Sequence, residues 1–371
     1  NIRNIIYLSR NKLDLLKDLR VYLNKNKKEV IHSALLWRYL NIYFKYKKIP
    51  KIEFPLTEIY TKLKDNGVSD ISIIASLLIT EGSRNKKGFD FSNKSKTLHD
   101  LLVEAIYNKY KVLPTTYFNY VGDVYRTFFY NKEVLAIRED IEKFVDNLKT
   151  TPKNNLQEYL NKKLPTLSKI RNKVDKIALL RIFSVTEGSV YFKLVPYNRK
   201  EKWYIAVPQI DITCTNPKIL FDLYKIMISL DFHPTLVKND GWSNWKGVCL
   251  PSFGDSINFL RIGGFLEGVN VARSDSIFYG IEKQILFLSI FEFRKKMLKD
   301  SKLRKYNKKQ LVNEIFKIIK NKEYSQDINT YLDLKGPNHN KRSLKSNRIN
   351  QLKNDVDLIL KNPNEFIRTR T

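Results

Sequence analysis

Apolar side chains recur at helical spacing in some stretches of the chain and at alternate positions in others, and these two periods divide it into elements. Ahead of about residue 67 the pattern is helical, with Leu13, Leu16, Leu19 and Leu23 on one face and Ala34, Leu35, Tyr39, Ile42 and Tyr43 on another, until Pro50 and Pro55 interrupt. Ile71 to Ile79 is an almost unbroken apolar run. A β-like stretch at 89–92 follows, then a helix carrying Leu98, Leu101, Leu102, Ala105 and Ile106, started by Thr97 with Asp100 three residues on. Strands over 116–120 and 124–130 flank a turn at Val121-Gly-Asp123, and Val134, Ile137, Ile141, Phe144, Val145 and Leu148 share the face of a further helix.

Similar elements appear again further on. Strands are expected near 190–194 and 203–214, and Asn216 caps a helix that has Pro217 at its first position and Leu220, Leu223, Tyr224 and Met227 on its apolar face. Strands over 235–238 and 246–250 flank Asp240-Gly241, and 256–262 reads as another helix. Both halves have the order helix, two strands, helix, two strands, helix. The duplication is visible in the residues too: Ile73-Ile-Ala-Ser-Leu-Leu-Ile-Thr-Glu-Gly-Ser83 returns in outline as Leu179-Leu-Arg-Ile-Phe-Ser-Val-Thr-Glu-Gly-Ser189, with the glutamates 106 residues apart. The chain divides into a helical N-terminal extension (1–67), a first unit (68–149), a linker (150–168) with Pro152, Asn154, Asn155 and Pro165, a second unit (169–298) and a lysine-rich helical extension (299–371). In that extension the helical patterns are 311–319 and 343–360, which fit either a helix-turn-helix-like DNA contact or a solvated tail.

Charge gives the first indication of a partner. The 371 residues hold 67 Lys+Arg against 38 Asp+Glu, a formal net charge of +29 spread along the whole chain, and 43% hydrophobic residues supply a real core. A phosphate backbone rewards each cation by counterion release, so nucleic acid is the leading partner. The apolar runs are too short for a membrane span. Cys214 and Cys249 form no CxxC pair, which excludes a disulfide framework and the common zinc spacings and points to an intracellular, reducing compartment, the cytoplasm or nucleoid or an organelle matrix. The chain begins at Asn1 without an uninterrupted apolar leader, as a fragment or processed product does. No GxxxxGK[ST] loop is present, His339-Asn340 alone is no HNH signature, and no terminal splicing block suggests an intein.

The candidate chemistry lies at the repeated Thr-Glu-Gly-Ser. Each copy ends an apolar helix, with Gly82 or Gly188 as the expected left-handed stop. A carboxylate in the last helical turn faces the negative end of the macrodipole, a cost of a few tenths to about 1 kcal/mol unless a cation sits beside it. Two such acids, Glu81 and Glu187, in equivalent places invite a shared divalent cation. Mg²⁺ suits hard oxygen ligands and takes one or two carboxylates from a protein, and a metal so held serves phosphodiester hydrolysis.

On these residues the sequence resembles the LAGLIDADG homing endonucleases. Ile74-Ala-Ser-Leu-Leu-Ile-Thr-Glu-Gly82 sits on the nine-residue motif, with Ala75 and Ser76 at its small positions, and Leu180-Arg-Ile-Phe-Ser-Val-Thr-Glu-Gly188 keeps the Glu-Gly end. The resemblance covers about 68–295. It implies an α+β monomer with two pseudo-symmetric αββαββα domains, motif helices that pack closely, acids that bind divalent metal, and two antiparallel saddle-shaped sheets set in the major groove of a long asymmetric DNA site. It further implies short 3′ overhangs, mobility of an intron or free-standing gene, and a basic residue that helps order water, for which Arg273 is the candidate. Arg181 and Ile182 depart from the motif where small residues normally let the helices approach. A third Glu-Gly, in Ile262-Gly-Gly-Phe-Leu-Glu-Gly268, reads as the end of a helix and a turn.

Side chains alternate across a strand. Ile210, Ile212 and Cys214 therefore face the core, and Gln209, Asp211 and Thr213 face outward as candidate DNA contacts, joined in the first unit by Arg126 and Asn119; Arg and Gln suit guanine and adenine. The leading expectation is a site-specific, Mg²⁺-dependent double-strand DNA endonuclease. An RNA maturase that folds its intron RNA, and a degenerate DNA-binding regulator indifferent to Glu81 and Glu187, are the alternatives.

Overall fold

The computed structural model describes residues 57–85, 88–112, 114–119, 123–130, 140, 167, 170–198, 200, 203–214, 216–238, 245–334 and 346–361. The helices expected before residue 57, most of the helix at 134–148 and of the linker, and the turns at 121–122 and 240–241 lie outside these residues. Among the described residues no helix is long and apolar enough to cross a membrane.

The architecture mixes helices with two four-stranded antiparallel sheets. Helix α1 (Glu58–Asp65) leads into α2 (Asp70–Glu81), which is followed by β1 (Gly82–Asn85), β2 (Gly88–Asn93), α3 (Lys96–Tyr110), β3 (Thr115–Asn119) and β4 (Val124–Tyr130). The second set is α4 (Lys173–Thr186), β5 (Gly188–Asn198), β6 (Trp203–Thr213), α5 (Pro217–Ser229), β7 (Thr235–Lys238), β8 (Trp245–Leu250) and α6 (Phe253–Arg261). The sheets share one strand order, β1-β2-β4-β3 and β5-β6-β8-β7. Strand β1 has no counterpart among the expected elements, because its Gly-Ser-Arg-Asn sequence carries no apolar alternation. Helix α3 begins one residue before Thr97, with Ser95 at its cap, and the Thr97 hydroxyl donates instead to the carbonyl of Gly268, 3.0 Å away on the segment that follows α6.

Helices α2 and α4 pack against one another at the centre. Nine consecutive residues of α2, Ser72 to Thr80, are buried, which explains a sequence apolar all round rather than on one stripe. At their starts the two helices are tied directly: the backbone N–H and hydroxyl of Ser69, the α2 cap, donate to Asp175 Oδ1 at 3.1 and 3.0 Å. These two positions are 106 residues apart, the same offset as the repeated motif.

Neither motif glycine is a left-handed stop. Gly82 has φ −79° and ψ 148°, extended backbone open to any residue. The requirement for glycine is one of space: a Cβ on Gly82 would lie 2.3 Å from the carbonyl oxygen of Leu78, and one on Gly188 2.3 Å from that of Ser184. Each chain turns from helix straight into strand, so the new strand runs against the last helical turn.

The C-terminal segments pack onto the second set. Helix α7 (Lys283–Lys299) lies across β5 and β6, α8 (Lys308–Lys320) packs on α7, and a short α9 (Asn329–Leu332) buries Tyr331. Helix α10 (Ser346–Lys361) docks on α5 and beside β7 and β8; Trp245 Nε1 donates to Asp355 at 2.8 Å, and Arg348 donates to the Leu236 carbonyl at 2.9 Å. With Leu311, Ile315, Ile318, Leu352 and Val356 buried in the core, the described part of the extension is more than a solvated tail.

One buried acid makes stability depend on pH. Glu104 on α3 is buried, its carboxylate accepting from the Thr57 N–H at 2.8 Å and the Thr57 hydroxyl at 2.7 Å. Burial pushes its pKa up to about 7 in spite of those bonds. A carboxyl raised in the fold contributes stability that is full below its unfolded value near 4.5 and is lost as pH rises through about 7. Glu104→Gln keeps an acceptor for the Thr57 N–H and removes the buried charge. It should therefore be more stable than wild type by about 2 kcal/mol at pH 8 and near-equal at pH 5, read by urea unfolding at both values. A difference that does not change with pH would refute the assignment. Buried His99, held down to about 4, works the opposite way in both proteins and cancels in the comparison.

Candidate active site

Glu81 is the last residue of α2, and Glu187 directly follows α4, its N–H donating to the Phe183 carbonyl at 2.9 Å. The Glu187 carbonyl accepts from the Thr213 N–H at 3.0 Å, which fastens the end of β6 to the start of β5.

The cation that the macrodipole argument calls for is Lys283, the first residue of α7. It is 6% exposed, and its ammonium donates to the carbonyls of Val185 and Gly188 at 2.7 and 2.6 Å, on either side of Glu187. Burial drives its pKa down to about 8, while the carboxylates of Glu187 and then Glu81 push it back up. One ammonium thus feels both acids. With Ser69 and Asp175 joined at the other end, α2 and α4 run parallel and end in a single electrostatic neighbourhood. The N-terminus of α7 also points its positive end there.

Glu81 is further oriented by the first sheet. Asn93, at the end of β2, donates from Nδ2 to Glu81 Oε1 at 3.1 Å. Its own carbonyl lies 3.1 Å from His99 Nε2, and His99 Nδ1 lies 2.7 Å from the Thr127 hydroxyl. A carbonyl only accepts, so Nε2 carries the proton and Nδ1 accepts from Thr127. Burial keeps that ring neutral.

The remaining expected residues are placed elsewhere. Arg273 lies on the loop between α6 and α7 with its side chain 81% exposed, and its guanidinium is engaged by Asp275 at 2.6 and 2.8 Å. Arg126 pairs with Asp90, donates to Ser92 at 3.3 Å and lies over the Phe128 ring. Asn119 is half-buried at the end of β3, opposite Val124. Thr213 is exposed, and Asp211 is half-buried and accepts from the Tyr191 hydroxyl at 3.0 Å. Gln209 does not face outward: it is 5% exposed and donates to the Pro251 carbonyl at 2.9 Å, just past the end of β8. Alternation along β6 therefore holds from Ile210 to Thr213 and fails at Gln209.

Arg181 leaves the interface between α2 and α4 altogether. Its guanidinium donates to the carbonyls of Gly264 and Gly263, both at 3.0 Å, and closes the turn after α6. Those two glycines have φ values of +62° and +100°. The third Glu-Gly follows that turn, as expected, and its Glu267 pairs with Lys62 at 3.1 Å on the surface.

Comparison with solved structures returns homing endonucleases. The I-SmaMI LAGLIDADG homing endonuclease bound to cleaved DNA matches over 67% of this chain and 95% of its own, at 12% identity and a TM-score of 0.41. I-SmaMI bound to uncleaved DNA target in the presence of calcium ions covers 69% and 99%, at 10% identity and a TM-score of 0.41. Mesophilic variants from the homing endonuclease I-DmoI cover 52% and 88%, at 15% identity and a TM-score of 0.31. No family model and no curated protein matches the chain.

Among the described residues no group of three or more His, Cys, Asp or Glu side chains is arranged to hold a metal ion. The donors at the helix ends are the two carboxylates, hard oxygen ligands of the number Mg²⁺ ordinarily takes from protein. Asn93 and Lys283 are the site residues that motif reading missed. Lys283 had a weak signal, being a cation at the head of the apolar run 285–293. Asn93 had none, since only strand pairing brings it to Glu81.

Proposed function

We propose that this chain is a site-specific, divalent-metal-dependent DNA endonuclease of the homing type, built as two LAGLIDADG-like units over 68–149 and 169–298. The observation that carries the reading is the pair of glutamates ending parallel helices around one buried lysine. Two acids gathered at helix ends, where the macrodipole disfavours them, in a protein of net charge +29 form an acidic spot suited to a cation on a surface suited to phosphate.

In this reading Glu81 and Glu187 hold the metal, with Mg²⁺ as the expected ion. When bound, it supplies Lewis-acid stabilisation of charge on the scissile phosphodiester. Asn93 holds the Glu81 carboxylate in one orientation. Lys283 fixes the backbone on both sides of Glu187 and sets a positive charge beside the two acids; it is better placed than Arg273, which was expected to be the basic residue that helps order water. Asn119, Arg126, Asp211 and Thr213 remain candidate DNA contacts, whereas Gln209 is withdrawn by its burial. A monomer with two unlike units fits a long, asymmetric duplex site.

The test is cleavage of a large randomised duplex library in Mg²⁺ and separately in Ca²⁺, with sequencing of the new ends. One long asymmetric site, cut in Mg²⁺, is the expected product. Binding without cutting under either ion would overturn the nuclease reading and move it to a maturase, tested next on intron RNA, or to a regulator.

A further inference from the structure

The lysines from the last residue of α7 onward are distributed unevenly. Between residues 299 and 309 stand Lys299, Lys302, Arg304, Lys305, Lys308 and Lys309 against a single acid, Asp300. The ion pairs nearby use other lysines, Lys295 with Glu292, Lys296 with Glu323 and Lys317 with Glu314. Arg304 is structural: it donates to the carbonyls of Met297 and Leu298 at 2.6 and 2.7 Å, capping α7, and lies over the Trp203 ring. The five lysines are all exposed, and the 3₁₀ turn Lys302–Lys305 and the start of α8 hold them close together. Like charges gathered this closely repel one another, so the ridge is most stable with a polyanion upon it.

Its position follows from elements already described. Trp203 is the first residue of β6, whose far end, Thr213, is fastened to Glu187. Eleven residues of strand span about 33 Å. Helix α7 begins at Lys283, beside both glutamates, and its seventeen residues reach the ridge after about 25 Å. The ridge thus stands roughly 25 to 33 Å from the acids, or about seven to ten base pairs along a duplex at 3.4 Å each. We infer that Lys299, Lys302, Lys305, Lys308 and Lys309 form a second phosphate-binding surface, which grips the duplex backbone at the outer end of the half-site read by the second sheet. This rests on the DNA reading above for its register, and it assigns part of the C-terminal extension an affinity role without sequence readout.

The experiment compares the full chain with a variant carrying Lys302→Gln, Lys305→Gln, Lys308→Gln and Lys309→Gln, and with a control losing the same charge elsewhere through Lys96→Gln, Lys173→Gln, Lys225→Gln and Lys353→Gln. On a 40-base-pair mixed-sequence duplex the ridge variant should bind at least about tenfold more weakly at low salt, and its log-log salt slope should fall by about three, with the control changed much less. On a duplex bearing the selected site, trimming one chosen flank to about six base pairs past the cut should weaken wild type and leave the ridge variant unmoved. Trimming the other flank should affect both alike, and cleavage of saturated complex should be unchanged. Equal losses in ridge and control variants, or none, would overturn the assignment, as would a larger loss on a 40-nucleotide single-stranded RNA than on duplex. Should no cleavage site emerge, the nuclease reading fails, while the mixed-sequence duplex still decides the ridge.

Discussion

Replacing Glu187 by Gln is expected to abolish DNA cleavage, a loss of at least about a thousandfold in single-turnover rate, while duplex affinity stays within a few-fold. The amide has nearly the volume of the carboxylate and sits at the same helix end, so the fold is little disturbed. It lacks the charge that would hold a cation against the negative end of α4. Lys283, already paired with the Val185 and Gly188 carbonyls, keeps those bonds. Glu81→Gln should behave alike, because a Gln oxygen still accepts from Asn93. Cleavage by both variants at the wild-type rate would remove these residues from the site. Binding lost together with cleavage would mean instead that the acids serve the structure.

The second large effect is on stability. Gly188→Ala is expected to destabilise the protein by more than about 3 kcal/mol, since the added Cβ would lie 2.3 Å from the Ser184 carbonyl oxygen and 2.8 Å from its Cα. Those are backbone atoms of a buried helical turn, and relief requires moving either that turn or the start of β5. Gly82→Ala meets Leu78 at the same 2.3 Å and should cost a similar amount. Gly67→Ala is the comparison: Gly67 has φ +80° and no atom within 4 Å of a built Cβ, so it should lose only about 1 kcal/mol, from backbone conformation alone. Urea unfolding of the three variants gives the order. Gly188→Ala no worse than Gly67→Ala would show that the helix and strand are less closely joined than described.

The same glycines show how a correct motif can carry a mistaken reason. Glu-Gly at the end of an apolar run reads as a helix stop, and the helices do stop there. A left-handed conformation was the natural explanation, because C-terminal glycines commonly adopt one. That explanation fails because the next strand starts at once and needs clearance rather than a positive φ. Gln209 is a similar case: alternation predicts its face, yet it is buried and bonded to the Pro251 carbonyl 42 residues on, which no local pattern records.

What the sequence determined by itself is local in origin. Helix and strand periods follow from each side chain's direction along its own backbone, so α2, α4, β6 and β7 were legible, as was the Asn216–Pro217 start of α5. The repeated Thr-Glu-Gly-Ser located both acids, because the duplication left the same residues at the same helix ends. The tertiary structure decided what surrounds them. Lys283 reaches Glu187 from α7, 95 residues beyond Gly188, and Asn93 reaches Glu81 only through pairing in the first sheet. Arg181 was drawn out of the motif interface by two carbonyls on a distant turn. Charge compensation and burial depend on which remote segments pack together, and a one-dimensional pattern of polar and apolar residues does not contain that information.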